Sequence, residues 1–261
     1  MVRNLAHSRS LRNAAPFRFA CAPARIVGMV RSRFSVIIPV YREEARIAAL
    51  LAHVAGLPVP GGAEILVVDG DPQQRTLAAV PEGAALSLAA AKGRARQMNA
   101  GARASHGDVL LFLHADTRLP ADAFTRATAC LADPGIGGGA FSLRIEATEG
   151  AAGPGLRFIA WAANLRARLS RAPYGDQAIF LRRDVFMALG GFPDIPLMED
   201  LELMTRLRRS GGRIRILDAY AATSARRWER EGLLRCTGRN VLLRTLYHLG
   251  VPARRLAEFY R

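Results

Sequence analysis

The sequence predicts an α/β fold of three layers, with a mostly parallel central sheet between two layers of helices. Three observations predict it. The run Val109–Leu113, following Asp108, is apolar at every position, which marks a strand buried on both faces and hence a parallel sheet. From Phe34 onward, strand-like and helix-like segments alternate, the pattern of stacked βαβ units. The segment Leu197–Ser210 places Leu197, Leu201, Met204 and Leu207 on one helical face, with acids in its first turn and arginines in its last, before Gly211-Gly212 stops it.

In chain order, Phe34–Pro39 is a β-branched run that proline should end. Glu43–Ala55 spaces Ile47, Leu50, Leu51 and Val54 as a helix closed by Gly56. Glu64–Val68 is a second strand running into Asp69-Gly70-Asp71-Pro72, and Ala85–Leu88 a short third. Gly93–Ala104 reads as a helix, Asp108–Leu113 as the central strand and Ala121–Leu131 as the next helix. The second half is less regular: a strand over Gly138–Ile145, a Gly/Ala/Pro loop, a helix over Leu156–Leu169, a strand over Gln177–Leu181 and a short helix over Asp184–Leu189. Leu233–Tyr260 mixes apolar residues with Arg235, Arg239, Arg244, Arg254 and Arg255. That segment has two readings, a helix pair covering the core or a basic amphipathic surface on an anionic membrane.

The 261 residues suffice for one domain with a full core, and 50% hydrophobic against 23% charged is ordinary globular composition. The net charge is +15 and rests on arginine, since Lys92 is the only lysine. Such a charge suits anionic partners such as nucleoside diphosphates or acidic lipid headgroups. The absence of zinc-finger spacing and of basic-aromatic interleaving argues against nucleic acid. Cys21, Cys130 and Cys236 are too far apart for a disulfide framework and fit a reducing compartment, and no apolar run reaches the roughly 18 residues of a membrane span. The stretch 1–33 stands apart as an N-terminal extension: it is Arg-rich and free of acids, the first acid of the chain being Glu43. It reads as a transit peptide, a disordered tail, or an upstream start with Met29 as the true first residue. A chain from Met29 would carry +10, because residues 1–28 hold five arginines. The domain is expected over 34–228, with amphipathic helices over 229–261.

The candidate site residues cluster at the ends of these strands. In open α/β sheets ligands bind at the carboxyl edge, and His114-Ala115-Asp116 projects a histidine and a carboxylate there. Pro39, Tyr41 and Glu43 follow the first strand, where a base and ribose can dock, although Glu43 also suits a first-turn acid. Asp69 ends the second strand and can accept a hydrogen bond from a pyrimidine N–H, whereas Asp71 reads as a turn residue before Pro72. Lys92-Gly93-Arg94-Ala95-Arg96 brings cations and a glycine to a helix start, a place for phosphate oxygens. Arg94 and Arg96 are equal candidates on this pattern. Glu199-Asp200 opens the clearest helix, where acids also offset the macrodipole.

The ordered motifs SVIIPVYREE, ILVVDGD, GRARQMNAG, LFLHADT, GDQAIF and MEDLEL resemble those of a family 2 glycosyltransferase over Phe34 to about Trp228. The resemblance implies a GT-A (Rossmann-like) domain and an inverting transfer of sugar from a nucleoside diphosphate to a hydroxyl or carboxylate acceptor. The acceptor would be lipid-borne, as with a carotenoid acid or polyprenyl chain. It assigns nucleotide-sugar contacts to Pro39, Tyr41, Glu43, Asp69, Arg94, Asp116 and Arg227. Asp116 takes the place of the family's Asp-x-Asp, implying a Mn²⁺ or Mg²⁺ ligand, with His114 standing where the first acid would be. Imidazole suits Mn²⁺ better than Mg²⁺. Asp200 would be the general base, while Gly175, Asp176, Gln177 and Glu199 line the acceptor side. Arg227-Trp228 matches a Gln-x-x-Arg-Trp motif only in part, Ser224 replacing the glutamine. Met98-Asn99 stands where Arg-Asn is common. The implied location is the cytoplasm, at the inner membrane face for a lipid acceptor. Two rivals remain: a sugar-nucleotide-binding protein without activity, made plausible by His114, and a sugar-1-phosphate nucleotidylyltransferase. PVYREE, in place of a Gly-rich loop after the first strand, argues against the second.

Overall fold

The computed structural model describes residues 33–260. The expectations for 1–32 fall outside these residues. The order is β1 (Phe34–Val40), α1 (Glu44–Ala55), β2 (Ala63–Asp69), α2 (Arg75–Ala78), β3 (Leu86–Ala89), α3 (Arg94–Ala104), β4 (Val109–Phe112), β5 (Thr117–Arg118), α4 (Ala123–Leu131), β6 (Ile136–Glu146) and α5 (Pro154–Ser170). After a 3-10 turn at Gly175–Gln177 come β7 (Phe180–Arg182), α6 (Arg183–Ala188), α7 (Glu199–Arg209), β8 (Arg213–Ser224), α8 (Arg226–Glu231), α9 (Leu233–His248) and α10 (Ala253–Glu258).

The strands form one sheet in the order β3-β2-β1-β4-β7-β6-β8-β5. β7 runs antiparallel to β4 and β6, and β5 antiparallel to β8, while every other pairing is parallel. The carboxyl ends of β1, β2, β3, β4, β6 and β8 therefore share one edge. Alternation along β1 divides the core. Phe34, Val36 and Ile38 join Ile47, Leu51 and Phe124 on the face covered by α1 and α4. Ile37 joins Met98, Phe186 and Leu203 on the opposite face, beneath α3, α6 and α7. This is the three-layer arrangement expected. Close approach of α3 to the sheet requires Gly101, where a Cβ would lie 2.5 Å from Ile37 Cγ2.

Some boundaries differ for physical reasons. Proline does not end β1, which runs on to Val40 opposite Asp69. β4 pairs only as far as Phe112 with Ile37, so the missing N–H of Pro39 leaves no ladder bond unmade. The strand expected from Gln177 begins at Phe180, because Gln177 belongs to the 3-10 turn and Ala178 adopts φ +45°. The expected boundary after residue 228 falls inside α8. α9 and α10 pack on the domain through Leu243 and Leu256 against Leu197 and Met198, and Leu234, Val241 and Leu242 stay exposed.

Candidate functional site

β4 is wholly buried, and its chain leaves the sheet in a tight turn, Thr117 N–H donating to the His114 carbonyl at 3.1 Å. Thr117 then pairs with Thr223 of β8, and Ser224 N–H donates to the Asp116 carbonyl at 3.1 Å, so the turn is held from both sides. Its carboxylate projects into a cavity of about 430 Å³. The His114 imidazole lies against Gly175, where a Cβ would sit 2.7 Å from both Cε1 and Nε2. Burial, then the Arg94 charge, pushes the His114 pKa down to about 4, so the ring is neutral at pH 7.

Opposite lies the segment 174–177. Gln177 is buried, its amide donating to the Phe141 carbonyl at 3.0 Å while its oxygen accepts Tyr174 N–H at 3.2 Å. This pins the turn and aims Gly175 N–H at Asp200 Oδ2, 2.8 Å away. The other Asp200 oxygen accepts Leu201 N–H at 2.7 Å. Met198, the residue before α7, holds φ +67°, a strained conformation for a non-glycine residue that turns the chain into Glu199-Asp200. Asp176 is pushed up to about 6 by burial and then by the Asp200 charge, and its Oδ1 is buried without a hydrogen-bond partner.

Cations balance these acids. Glu199, 3% exposed, meets Arg94 Nε at 3.0 Å, and burial pushes its carboxyl up while Arg94 opposes that shift. Arg94 is raised chiefly by Glu199, with Asp200, Asp176 and Asp116 adding to it. Arg96 turns away and makes a two-pronged contact with Asp194 at 2.7 and 3.0 Å, which separates two arginines equal by sequence. Arg226 reaches Glu43 at 3.2 Å and Asp116 at 4.0 Å. Arg227 meets the Tyr260 hydroxyl, and burial, then Arg94, lowers its pKa. Trp228 donates to Thr237 Oγ1 at 3.2 Å and packs beside Ala225, so it anchors α8 as well as lining the cavity.

The fold thus brings Arg94, His114, Asp116, Gly175, Asp176, Asp200 and Arg227 to one cavity. Gln177 and Glu199 hold it from behind, and Glu43 reaches it through Arg226. Pro39, Tyr41 and Asp69 do not line it and lie on the adjoining sheet edge. Lys92 sits 4.1 Å from the Tyr41 ring centroid. Asp69 is fully buried, its oxygens accepting Asp71 N–H at 2.8 Å and Thr76 N–H at 3.2 Å, so it shapes the turn after β2. Asp71 accepts Gln73 N–H at 3.4 Å as an Asx turn and pairs with Arg75 at 3.2 Å. Arg226, Tyr174 and Tyr260 were not nominated from sequence. Arg226 adjoins Arg227, but nothing in its spacing distinguishes it.

Among the described residues, no three His, Cys, Asp or Glu side chains group to hold a metal ion. A Mg²⁺-type ion carried with a diphosphate needs only one or two protein carboxylates, the remaining oxygens coming from phosphate and water. Asp116, whose side chain is 32% exposed in the cavity, fits that smaller role, and neutral His114 adds a nitrogen beside it.

The mostly parallel sheet, with carboxylates and guanidiniums around one cavity at its carboxyl edge, has the GT-A fold of the solved structures it matches. Among solved structures, a mannosyltransferase, PcManGT, from Pyrobaculum calidifontis in complex with GDP-Man and Mn²⁺ matches with TM-score 0.60 at 22% identity, covering 74% of this chain and 57% of its own. TarS 1–349 from S. aureus in complex with UDP-GlcNAc matches with TM-score 0.56 at 19% identity, covering 74% and 58%. The chain therefore spans less than two thirds of the length of either. A comparison with curated proteins gives no match. Residues 35–152 match the family model for glycosyl transferase family 2.

Proposed function

We propose that this protein is an inverting glycosyltransferase that moves a sugar from a nucleoside diphosphate to a hydroxyl or carboxylate acceptor, with Asp200 as general base. The observation that carries the reading is the placement of Asp200. Its carboxylate is oriented by the N–H groups of Gly175 and Leu201 in the same cavity as Asp116, Arg94 and Arg227. For a hydroxyl acceptor, Asp200 takes the proton as the oxygen bonds to the anomeric carbon. The bond from that carbon to the diphosphate oxygen breaks on the opposite face, and the leaving diphosphate keeps the electron pair. An acceptor carboxylate attacks already deprotonated.

Arg94 and Arg227 offer guanidiniums to the diphosphate, and the edge beyond Pro39, with Tyr41 and Glu43, is assigned to the nucleoside, buried Asp69 shaping the turn behind it. Asp116, with His114 beside it, would hold Mn²⁺ or Mg²⁺, which supplies Lewis-acid neutralisation of the leaving group. Asp176, Gln177 and Glu199 frame the acceptor side. The acidic donor suits the +15 charge, and nucleic acid is not a partner on this reading. No helix among the described residues is long and apolar enough to cross a membrane; on this reading a lipid-borne acceptor would be met at the cytoplasmic face of a bilayer. The second reading, donor binding without turnover, is favoured by His114 in place of an acid.

Release of nucleoside diphosphate from UDP-, GDP- and dTDP-sugars, with Mn²⁺, Mg²⁺ or EDTA and a membrane lipid extract as acceptor source, tests both readings. Metal-dependent release from one donor, lost in Asp116→Ala and Asp200→Ala, supports transfer. Binding without release in every condition supports the second reading, and failure to bind any donor overturns both.

A further inference from the structure

Among the stretches of the sequence that contain no acid are 150–175 and 232–257, in a chain that has 22 Asp and Glu. The first holds Arg157, Arg166, Arg168 and Arg171. The second holds Arg235, Arg239, Arg244, Arg254 and Arg255. The structure builds them largely into α5 and α9, which meet where Gly155 lies against Leu233.

α5 buries Leu156, Ala160 and Ala167 and turns large apolar groups outward. Phe158 is 64% exposed, Trp161 59%, Leu165 42% and Leu169 78%. Their spacing puts them on one stripe of the helix. Phe158 and Trp161 stack with centroids 5.6 Å apart, so the pair forms one apolar surface. Arg157 and Arg168 border the stripe on one side. Together with Arg144, Trp161 and Tyr220 they line a cleft of about 740 Å³, room for a phosphate headgroup and the first part of a chain. α9 repeats the pattern, with Leu234 91% and Leu242 57% exposed. A stripe of Trp, Phe and Leu bordered by arginines is the chemistry of a helix lying in a bilayer interface, and the acids beside it are Asp218, paired with Arg168, and Glu146 in the cleft wall. The arginines select anionic headgroups.

We propose that the outer face of α5, continued by α9, docks this protein on an anionic phospholipid bilayer. α5 packs on Ala225 and Trp228, directly after β8 and beside Arg226 and Arg227. Docking through α5 therefore places the candidate site next to the lipid surface, where a lipid-borne acceptor would enter. For its purpose the inference rests on the transfer reading, but its test uses neither donor nor turnover.

The test is co-sedimentation of the full chain with vesicles of phosphatidylcholine alone and of phosphatidylcholine containing about 30% phosphatidylglycerol. Wild type should bind the anionic vesicles at least roughly tenfold more strongly than the neutral ones. Phe158→Ser/Trp161→Ser should lose roughly tenfold or more on anionic vesicles, as should Arg157→Gln/Arg168→Gln, with unfolding curves at the wild-type position. No binding to anionic vesicles overturns the proposal. So does binding unchanged by the Phe158/Trp161 pair. A wild-type dimer that the Phe158/Trp161 variant converts to monomer, without vesicle binding by either, would overturn it by making the stripe a contact between two copies of this chain.

Discussion

Asp176→Asn should stabilise the folded protein above about pH 6 and leave it unchanged below about pH 4. The Asp176 carboxyl moves from 3.8 to about 6, first through burial and then through the Asp200 charge. The folded state therefore binds more protons than the unfolded chain between those values, and wild-type stability falls as pH rises through that window. Each unit is worth about 1.36 kcal/mol, so the ionised carboxylate costs about 3 kcal/mol at most, and about 2–3 kcal/mol allowing for partial exposure. Asparagine keeps the size of the protonated acid and carries no charge. For a domain of this size the gain corresponds to roughly 5–10 °C in Tm.

The assay is urea unfolding of wild type and variant at about pH 4, 6 and 8. His114 titrates in the opposite sense, its depressed pKa making stability rise with pH between about 4 and its unfolded value of 6.5. That slope is common to both proteins and cancels in their difference, provided the change at Asp176 does not itself move His114. A difference that is equally large at about pH 4 and pH 8 would assign the effect to packing instead of charge. No gain at about pH 8 would refute the electrostatic account. A stability gain accompanied by lost nucleoside diphosphate release would mark Asp176 as a group retained for chemistry at a cost in stability.

Three further outcomes follow from the same geometry. Gly175→Ala sets a methyl group 2.7 Å from the His114 ring; it should cost about 1–3 kcal/mol in urea unfolding and lower turnover by moving the N–H that orients Asp200. Arg94→Met leaves buried Glu199 without its counter-charge and should destabilise by about 3–5 kcal/mol near neutral pH, with Arg94→Met/Glu199→Gln recovering most of the loss. Glu64 is pushed down to about 2, burial opposing the bonds it accepts from the Ser35 hydroxyl and the His106 and Gly107 N–H groups. Its contribution should be complete above pH 4.5 and vanish as pH falls toward 2 in an acid-unfolding series, and Glu64→Gln should flatten that limb.

Elements with a strong period could be read without coordinates. β4 is buried and apolar throughout, β1 is buried throughout with Ser35 its one polar residue, and β2 is apolar from Ile65 to Val68, while α1 and α7 carry one apolar stripe each. β8 escaped notice although RIRILDAYAATS alternates, because arginine, aspartate and tyrosine occupy its exposed positions and register shifts in its pairing with β6 disturb the pattern. β5 is two residues long and exists only because β8 pairs with it, so no local signal encodes it. Among site residues, motif order nominated Arg94, Asp116, Asp176, Asp200 and Arg227, which share a cavity. It gave no hint of Tyr260, which arrives when α9 and α10 fold back over the sheet edge. Asp69 shows a further limit of a motif: the pattern supplies a carboxylate at the strand end, while turn chemistry decides that backbone N–H groups occupy it.

The guanidiniums around the cavity are held in unequal ways, and this ranks their roles on the transfer reading. Arg94 faces a buried carboxylate in Glu199, and breaking such a pair leaves an uncompensated charge, so Arg94 stays in place when a diphosphate enters. It acts as fixed positive potential in the wall. Arg226 spans Glu43 at 3.2 Å and Asp116 at 4.0 Å with its own side chain 41% exposed, and half-exposed pairs of this kind contribute about 0–1 kcal/mol. Arg227 rests on a neutral tyrosine hydroxyl and loses no ion pair when it turns. A diphosphate can therefore recruit Arg226 and Arg227 at small cost. Moving Arg226 off Asp116 would leave that carboxylate free for a cation in the same step. Arg226 thus offsets Asp116 and Arg94 offsets Glu199, while Asp200 is held by the N–H groups of Gly175 and Leu201 and Asp176 bears its burial without such a partner, which is why its pKa rises.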